Sequence, residues 1–249
     1  MRQLLEKPHS EGRVFLSAEW IDLVMLNYEV SPKLLAPCVP PGTTLDSFEG
    51  KTFISLVGFQ FLRTKLFDSF SIPFHTNFDE VNLRYYVRRM KKGEERRGVA
   101  FIAEIVPRRA VAQIARIAYR ENYVCLPMKH RAGINGMSKF AEYSWRLNRG
   151  WCKLYADSSA TPAPASEGSM EQFITEHYWG YSNQNNGESV EYHVSHAPWN
   201  VWTSASAGFE GDASRLYGSE LGKILQGRPD SAFIADGSRV TVFRGTKLQ

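Results

Sequence analysis

The chain has 249 residues, 43% of them hydrophobic and 13% aromatic, with a formal net charge of +4. A chain of this length buries roughly 70–75% of the surface its unfolded form exposes, so it needs no disulfide staples. The three cysteines, Cys38, Cys125 and Cys152, match no zinc spacing, Met1 to Arg13 lacks an apolar core of signal-peptide length, and no run is long enough to span a membrane; a cytoplasmic protein in a reducing compartment is expected.

Phe15 to Trp20 leads into a strand over Leu23 to Val30. Ser31-Pro32 is a helix opening, an N-cap with proline in the first turn. That helix ends before Pro37, and Pro40-Pro41-Gly42 forces a turn. Thr52 to Leu62 is a long apolar-rich strand, and Phe78 to Met90 is the next. In the latter, Glu80, Asn82, Arg84 and Tyr86 alternate with Val81, Leu83, Tyr85 and Val87. Successive side chains of a strand point to opposite faces, so one face carries a carboxylate, an amide, a guanidinium and a phenol. Such a row is costly to bury unless its members bond one another, water or a ligand. It points to a polar pocket inside a β-rich body.

Arg88 to Arg97 holds six basic and two acidic residues around Gly93 and reads as a hairpin turn. Its charges are read as solvated surface. A nucleic-acid patch is the competing and less favoured reading, because no aromatic residue interrupts the cluster to stack on bases. Val99 to Val106 is nearly all apolar, as in a central strand. Arg108 to Tyr119 changes period: Val111, Ile114, Ala115 and Ala118 make one helical stripe. Val124 to His130, Lys139 to Leu147 and Trp151 to Tyr155 return to strand, and Asp157 to Gly168 is an exposed loop. Ser169-Met170-Glu171-Gln172 matches a capping box. Val190 to Val194 and Val201-Trp202 are short strands, Gly218 to Gln226 is a small helix, and Phe233 to Phe243 reads as a closing hairpin around Asp236-Gly237.

Many strands, few short helices and no regular strand–helix alternation imply a mainly β (α+β) chain, with one antiparallel sheet folded on itself over residues 1–249 as a single domain. There is no glycine-rich phosphate loop, nucleophile elbow or two-histidine zinc helix. No Cys, His, Asp and Glu set has metal spacing, so neither metal nor cofactor is expected.

Several segments, in order, resemble one bacterial family: Phe15-Leu16-Ser17-Ala18-Glu19-Trp20, Pro40-Pro41-Gly42 with Leu45-Asp46, and Glu80-Val81-Asn82-Leu83-Arg84-Tyr85-Tyr86-Val87. Ala115-Arg116, Gly168 to Phe173 with Glu176-His177-Tyr178, and His196-Ala197-Pro198-Trp199 follow. The chain is similar over most of residues 14–202 to domain-of-unknown-function family 2071, one of the acetoacetate-decarboxylase-like proteins. The resemblance implies a closed, cone-shaped antiparallel β-barrel around an interior cavity. In the decarboxylase a lysine downstream of an arginine forms a Schiff base, its amine activated by a cationic neighbour and an apolar pocket. Counted from Arg116, the lysine position falls on Tyr123; counted from Pro127 it falls on Met128, with Lys129 one place beyond. A phenol or thioether cannot form an imine. Glu80 matches a cavity glutamate by position, Arg116 matches the arginine before the lysine, and His177 stands where the family usually has arginine.

The function expected is an interior polar cavity for a small organic acid or carbonyl compound. Glu80 and Tyr123 are the candidates for non-covalent acid–base work; Asn82, Arg84, Tyr86, Arg116 and His196 are the candidates for ligand binding, with Arg84 and Arg116 as forks for a planar acid group. A non-catalytic ligand-binding or sensory module is one alternative, and a decarboxylase using Lys129 is another. Whether a homo-oligomer forms stays open.

Overall fold

The computed structural model describes residues 12–67, 70–71, 75–184, 187–203 and 206–248; residues 1–11, part of the stretch examined for a signal peptide, fall outside it. In chain order the first strands are β1 (Val14–Val30), β2 (Thr44–Leu45), β3 (Thr52–Leu66), β4 (Phe78–Lys91) and β5 (Glu94–Val106). Next come β6 (Tyr123–Cys125), β7 (Met128–Asn135), β8 (Ser138–Leu147), β9 (Gly150–Ser158) and β10 (Ala163–Pro164). The last are β11 (Trp179–Asn183), β12 (Ser189–His196), β13 (Asn200–Thr203), β14 (Ser206–Glu210), β15 (Ser231–Phe243) and β16 (Thr246–Lys247). Between them lie α1 (Pro32–Leu35), α2 (Arg109–Tyr119), α3 (Met170–Thr175), α4 (Ser214–Tyr217) and α5 (Ser219–Leu225).

Strands β15, β1, β3, β4, β5, β11 and β12 follow one another edge to edge. β12 then pairs back onto β15 through Val194–Val242, Ser195–Thr241 and His196–Val240, which closes the ring. The chain is thus mainly β, as expected, but its sheet is not all antiparallel: the short β6 lies parallel to β5, and one pairing around the ring is parallel too. β11 joins β5 in parallel at Trp179–Gly98 and Gly180–Val99. The long connection between them, carrying α2 and the strands β7 to β9, permits what a hairpin could not. A Cβ on Gly98 would lie 2.5 Å from the Trp179 carbonyl oxygen, so only glycine allows this approach.

A second sheet, ordered β14-β9-β8-β7, covers the outside of the wall. Val24, Leu26, Ile54, Leu56, Val81, Leu83 and Tyr85 pack there against Tyr143, Trp145, Leu154 and Phe209. The apolar row of β4 therefore belongs to the outer core, and its polar row faces the barrel interior with Met25, Phe59, Phe78 and Val106.

One-residue bulges in β1, β3 and β5 change which positions face inward, since a slip of one residue exchanges the two faces of a strand. In β1, Ala18 and Trp20 face in before Asp22 (φ 56°), and Leu23 and Met25 after it. In β3, Phe59 and Phe61 give way beyond Arg63 (φ 54°) to Thr64 and Leu66. In β5, Ile102 is the extra residue, so Val99 and Phe101 are followed inward by Glu104 and Val106.

Four local expectations need correction. Asp236-Gly237 makes no hairpin: β15 runs through it, and Gly237 (φ 86°) pairs with Ile21 beside the β1 bulge, where a Cβ would collide with the Trp20 carbonyl. Its loop-like dipeptide serves a bend between two coiled strands. In α2, Ala118 is exposed and Tyr119 buried, because the face packed on the barrel runs through Val111, Ala112 and Ala115 instead. The Arg88–Arg97 hairpin does turn on two left-handed residues, Lys92 (φ 51°) and Gly93 (φ 86°). Not all of its charges, however, are left to solvent. Arg89, Lys91 and Arg96 converge on the buried Glu191 at 3.4, 3.2 and 2.7 Å, and Arg97 meets Asp46 at 2.7 Å. Lastly, Phe15 to Val30 is one continuous strand instead of a lead-in and a strand. No helix among the described residues is long and apolar enough to cross a membrane.

Candidate functional site

The barrel interior holds a cavity of about 140 Å³. Its wall is mostly apolar, with Trp20, Phe59, Phe61, Phe78, Phe101 and Trp199, and α2 contributes Val111, Ile114 and Ala115. Two polar regions interrupt this apolar lining.

The first is a group of carboxyls. Glu80 enters from β4, Glu104 from β5 past the Ile102 bulge, and Glu121 from the turn after α2, whose C-cap Arg120 is left-handed (φ 57°). All three are buried, Glu80 at 3% and Glu104 at 1% exposure. Asn82 Nδ2 donates to Glu80 Oε1 at 3.1 Å, the Tyr123 hydroxyl donates to Glu80 Oε2 at 3.4 Å, and the Tyr192 hydroxyl donates to Glu121 Oε1 at 2.5 Å. Glu104 abuts Glu121 and Tyr123. Burial, and then the neighbouring Glu121 charge, push the Glu80 carboxyl up to about 8. Burial lifts Glu121 to about 7, and burial with the charges of Glu121 and Glu80 lifts Glu104 well above the carboxylate range. Tyr123 and Tyr192 are raised as well, first by burial, and so stay hydrogen-bond donors. Two buried acceptors in this region, Glu104 Oε2 and Asn82 Oδ1, have no hydrogen-bond partner.

The second region is cationic and imidazole-rich. Arg84 donates from Nη2 to the Ile174 carbonyl oxygen at 2.9 Å, while its buried Nε has no partner. That carbonyl is placed by α3, whose start the sequence motif encodes: Ser169 Oγ accepts from Gln172 N at 3.2 Å, and Gln172 Oε1 accepts from Gly168 N at 2.8 Å. Beside Arg84 stands His177, buried, with neither ring nitrogen hydrogen-bonded; its Nε2 lies 3.8 Å from Asp46 Oδ2. Burial, with the Arg97 and Arg84 charges, brings the imidazole down to about 4, so it is neutral at physiological pH. His196 Nδ1 donates to the Ala197 carbonyl oxygen at 2.9 Å, and the ring stacks on Trp199 with centroids 4.4 Å apart; burial lowers its pKa too.

Of the residues expected at the site, Glu80, Asn82, Arg84, Tyr123 and His196 line the cavity. Tyr86 and Arg116 do not. Tyr86 points inward but is packed on Phe173 and closed by a 2.5 Å contact between its hydroxyl and Ser55 Oγ. Arg116 is exposed on α2, and its Nε donates to the Tyr123 carbonyl oxygen at 2.8 Å, so it holds the Tyr123 backbone from outside. The alternative built on Lys129 is overturned by position: the residue is exposed on the outer sheet, its ammonium 4.5 Å from the Trp151 ring centroid. Sequence reasoning missed Glu104, Glu121 and Tyr192, and it singled out His177 only as a departure from a family pattern. Among the described residues no group of three or more His, Cys, Asp and Glu is arranged to hold a metal ion.

A family model for DUF2071, described as an uncharacterized conserved protein, matches residues 17–239. The chain belongs to this family. The match reaches past residue 202 into β15, the strand that seals the barrel. A relative, Uncharacterized protein YqjF of Bacillus subtilis (strain 168), is 25% identical over 189 residues, 76% of each chain. Among solved structures, the acetoacetate decarboxylase of Legionella pneumophila aligns over 100% of this chain and 91% of its own, with a TM-score of 0.63 and 14% identity. An acetoacetate decarboxylase-like enzyme from Sphingomonas wittichii covers 100% and 98%, with a TM-score of 0.65 and 13% identity. The enduracididine biosynthesis enzyme MppR, in a complex with pyruvate, covers 98% and 93%, with a TM-score of 0.66 and 13% identity. At such identities the likeness is one of fold: this chain has the acetoacetate-decarboxylase-like architecture.

Proposed function

We propose that the barrel interior holds a small organic acid or carbonyl compound, with Arg84 taking the acid group and Glu80 and Tyr123 facing a carbonyl. The observation that carries this reading is the presence, in one cavity, of a guanidinium with an unfilled buried donor and a carboxyl held protonated near neutrality. The two sit four residues apart on the inner face of β4, about 13 Å between Cα atoms, so the ligand bridges them. A cavity of 140 Å³ is close to one that accepts benzene, which limits the guest to about six to eight non-hydrogen atoms. The pyruvate complex of MppR, which shares the fold, supports a guest of this class.

Chemically, a protonated Glu80 donates to the ligand carbonyl, and the Tyr123 hydroxyl steadies the oxygen. Any turnover then runs through proton transfer without an imine. Mass spectrometry of acids that copurify with wild type, followed by titration of those acids into Arg84→Ala, tests the binding site; at least tenfold weaker binding is expected. Equal affinity of the two proteins would remove the acid site. Borohydride treatment in the presence of keto acids should leave no adduct, and one on Lys129 would overturn the non-covalent reading. Turnover screening of the same acids separates an enzyme from a binding module.

A further inference from the structure

Inside the cavity, hydrogen-bond acceptors outnumber donors at one end. Glu80, Glu104 and Glu121 bring six carboxyl oxygens and Asn82 brings Oδ1; the neighbouring donors are Asn82 Nδ2 and the hydroxyls of Tyr123 and Tyr192. The imbalance is local. Glu121 is the charge that acts on Glu80, whereas Arg84 acts on His177 and His196. Protons shared among the carboxyls make up part of the deficit. They leave Glu104 Oε2 and Asn82 Oδ1 buried and unpartnered, and these two residues are direct cross-strand neighbours on the inner wall. A buried acceptor without a donor is costly, and both residues line the cavity. The surrounding wall is aromatic, with Phe101, Tyr119, Tyr123 and Tyr192, and such faces attract a cation.

We infer that the acid bound at Arg84 also carries a basic nitrogen, an ammonium or comparable N–H-rich group, received by Glu104, Glu121 and Asn82 Oδ1. The ligand class is a short amino carboxylic acid whose two charged ends are separated by a few methylenes. This rests on the cavity reading above and narrows it. Glu104 and Glu121 recognise the nitrogen, while Glu80 and the Tyr123 hydroxyl bonded to it meet a carbonyl. Docking a cation beside raised carboxyls drives them to ionise, so binding releases protons into solution.

The test compares 4-aminobutanoate with pentanoate, which have the same number of non-hydrogen atoms and differ in an ammonium for a methyl group. Isothermal titration in two buffers of different ionisation enthalpy reads both affinity and proton release. Wild type should bind 4-aminobutanoate at least tenfold more tightly, with net proton release, and the 3-aminopropanoate/butanoate and 5-aminopentanoate/hexanoate pairs should show the same sign. Glu104→Gln, and independently Glu121→Gln, should erase the preference and leave pentanoate affinity within about twofold; circular dichroism melting confirms that each variant folds. Pentanoate binding as well as or better than the amino acid overturns the nitrogen site and leaves the acid cavity standing. A preference that survives both Gln substitutions also overturns it. If no member of either series binds, both the nitrogen site and the acid cavity fall.

Discussion

Glu191 and Glu104 are both withdrawn from water, at 2% and 1% exposure, yet their surroundings are opposites. Glu191 meets Arg89, Lys91 and Arg96 and accepts from the Tyr181 hydroxyl at 3.1 Å; Arg96 in turn lies 3.9 Å over the Trp179 ring. Glu104 meets two further carboxyls and a phenol, with an oxygen left over. In the first cluster the carboxylate is more than matched by cations within the fold, which ties the β4–β5 hairpin to β12. In the second, compensation stops short at the wall of a cavity. A buried carboxylate held by cations reads as architecture, and one set among further carboxyls beside a cavity reads as a place for a guest.

The comparison can be broken by measurement. The largest effect is expected from Glu191→Ala, which leaves three cations without their carboxylate: a loss of roughly 3–5 kcal/mol in urea denaturation. Glu104→Gln should change stability by at most about 1 kcal/mol in either direction, since it replaces a carboxyl already held neutral. Comparable losses in the two variants would erase the distinction.

A pH effect comes next. Glu80 and Glu121 bind protons up to about 8 and about 7 in the folded chain but only to about 4.3 when unfolded. Their contribution is complete below the ordinary carboxyl range and is lost as pH rises through 7 to 8. His177, held at about 4, works in the other direction: its contribution is present above about 6.5 and lost as pH falls through 4. Above about pH 6.5 only the carboxyls act, so stability should fall by a few kcal/mol, on the order expected for coupled buried groups, between pH 6.5 and 8.5. Urea midpoints for Glu121→Gln should show a shallower decline, and an unchanged slope would contradict the burial argument.

A smaller loss, about 1–3 kcal/mol, is expected for Gly180→Ala, whose Cβ would collide with the Tyr192 ring. Because Tyr192 donates to Glu121, this change should also raise the carboxyl's titration midpoint, followed by NMR. The exposed pair Arg88–Glu95, at 3.2 Å with both partners about half exposed, supplies the baseline: Arg88→Ala should cost less than about 1 kcal/mol.

How much of this was readable in advance depends on the phase of each strand. β4 carries no extra residue over its alternating stretch, so Glu80, Asn82 and Arg84 could be assigned to the inner face by counting in twos. Glu104 could not. It sits in an apolar run, and counted from Val99 it falls on the outward face until Ile102 is recognised as unpaired. Glu121 lies in a turn, where no periodicity applies, and Tyr192 is one aromatic among many in a short strand. Tyr86 shows the converse: its phase is right, but the Ser55 hydroxyl and Phe173 close it off from the cavity. Arg88 to Arg97 looked solvent-facing because its counter-charge, Glu191, arrives from β12 about a hundred residues away. Asp236-Gly237 carried the dipeptide of a tight turn, yet its glycine answers a crowding imposed by β1.

A wall shared by two cores ordinarily couples them, since exchanging what lies on one side disturbs the other. The unpaired Ile102 uncouples them: Ala100, Ala103 and Ile105 keep their seats against the outer layer, while the inner surface passes from Phe101 to Glu104. One additional residue thus works as a phase shifter, switching hydrocarbon lining for titratable lining without altering the support behind it. Length variation at such points would let a barrel of this kind change its contents in coarse steps that single substitutions cannot make.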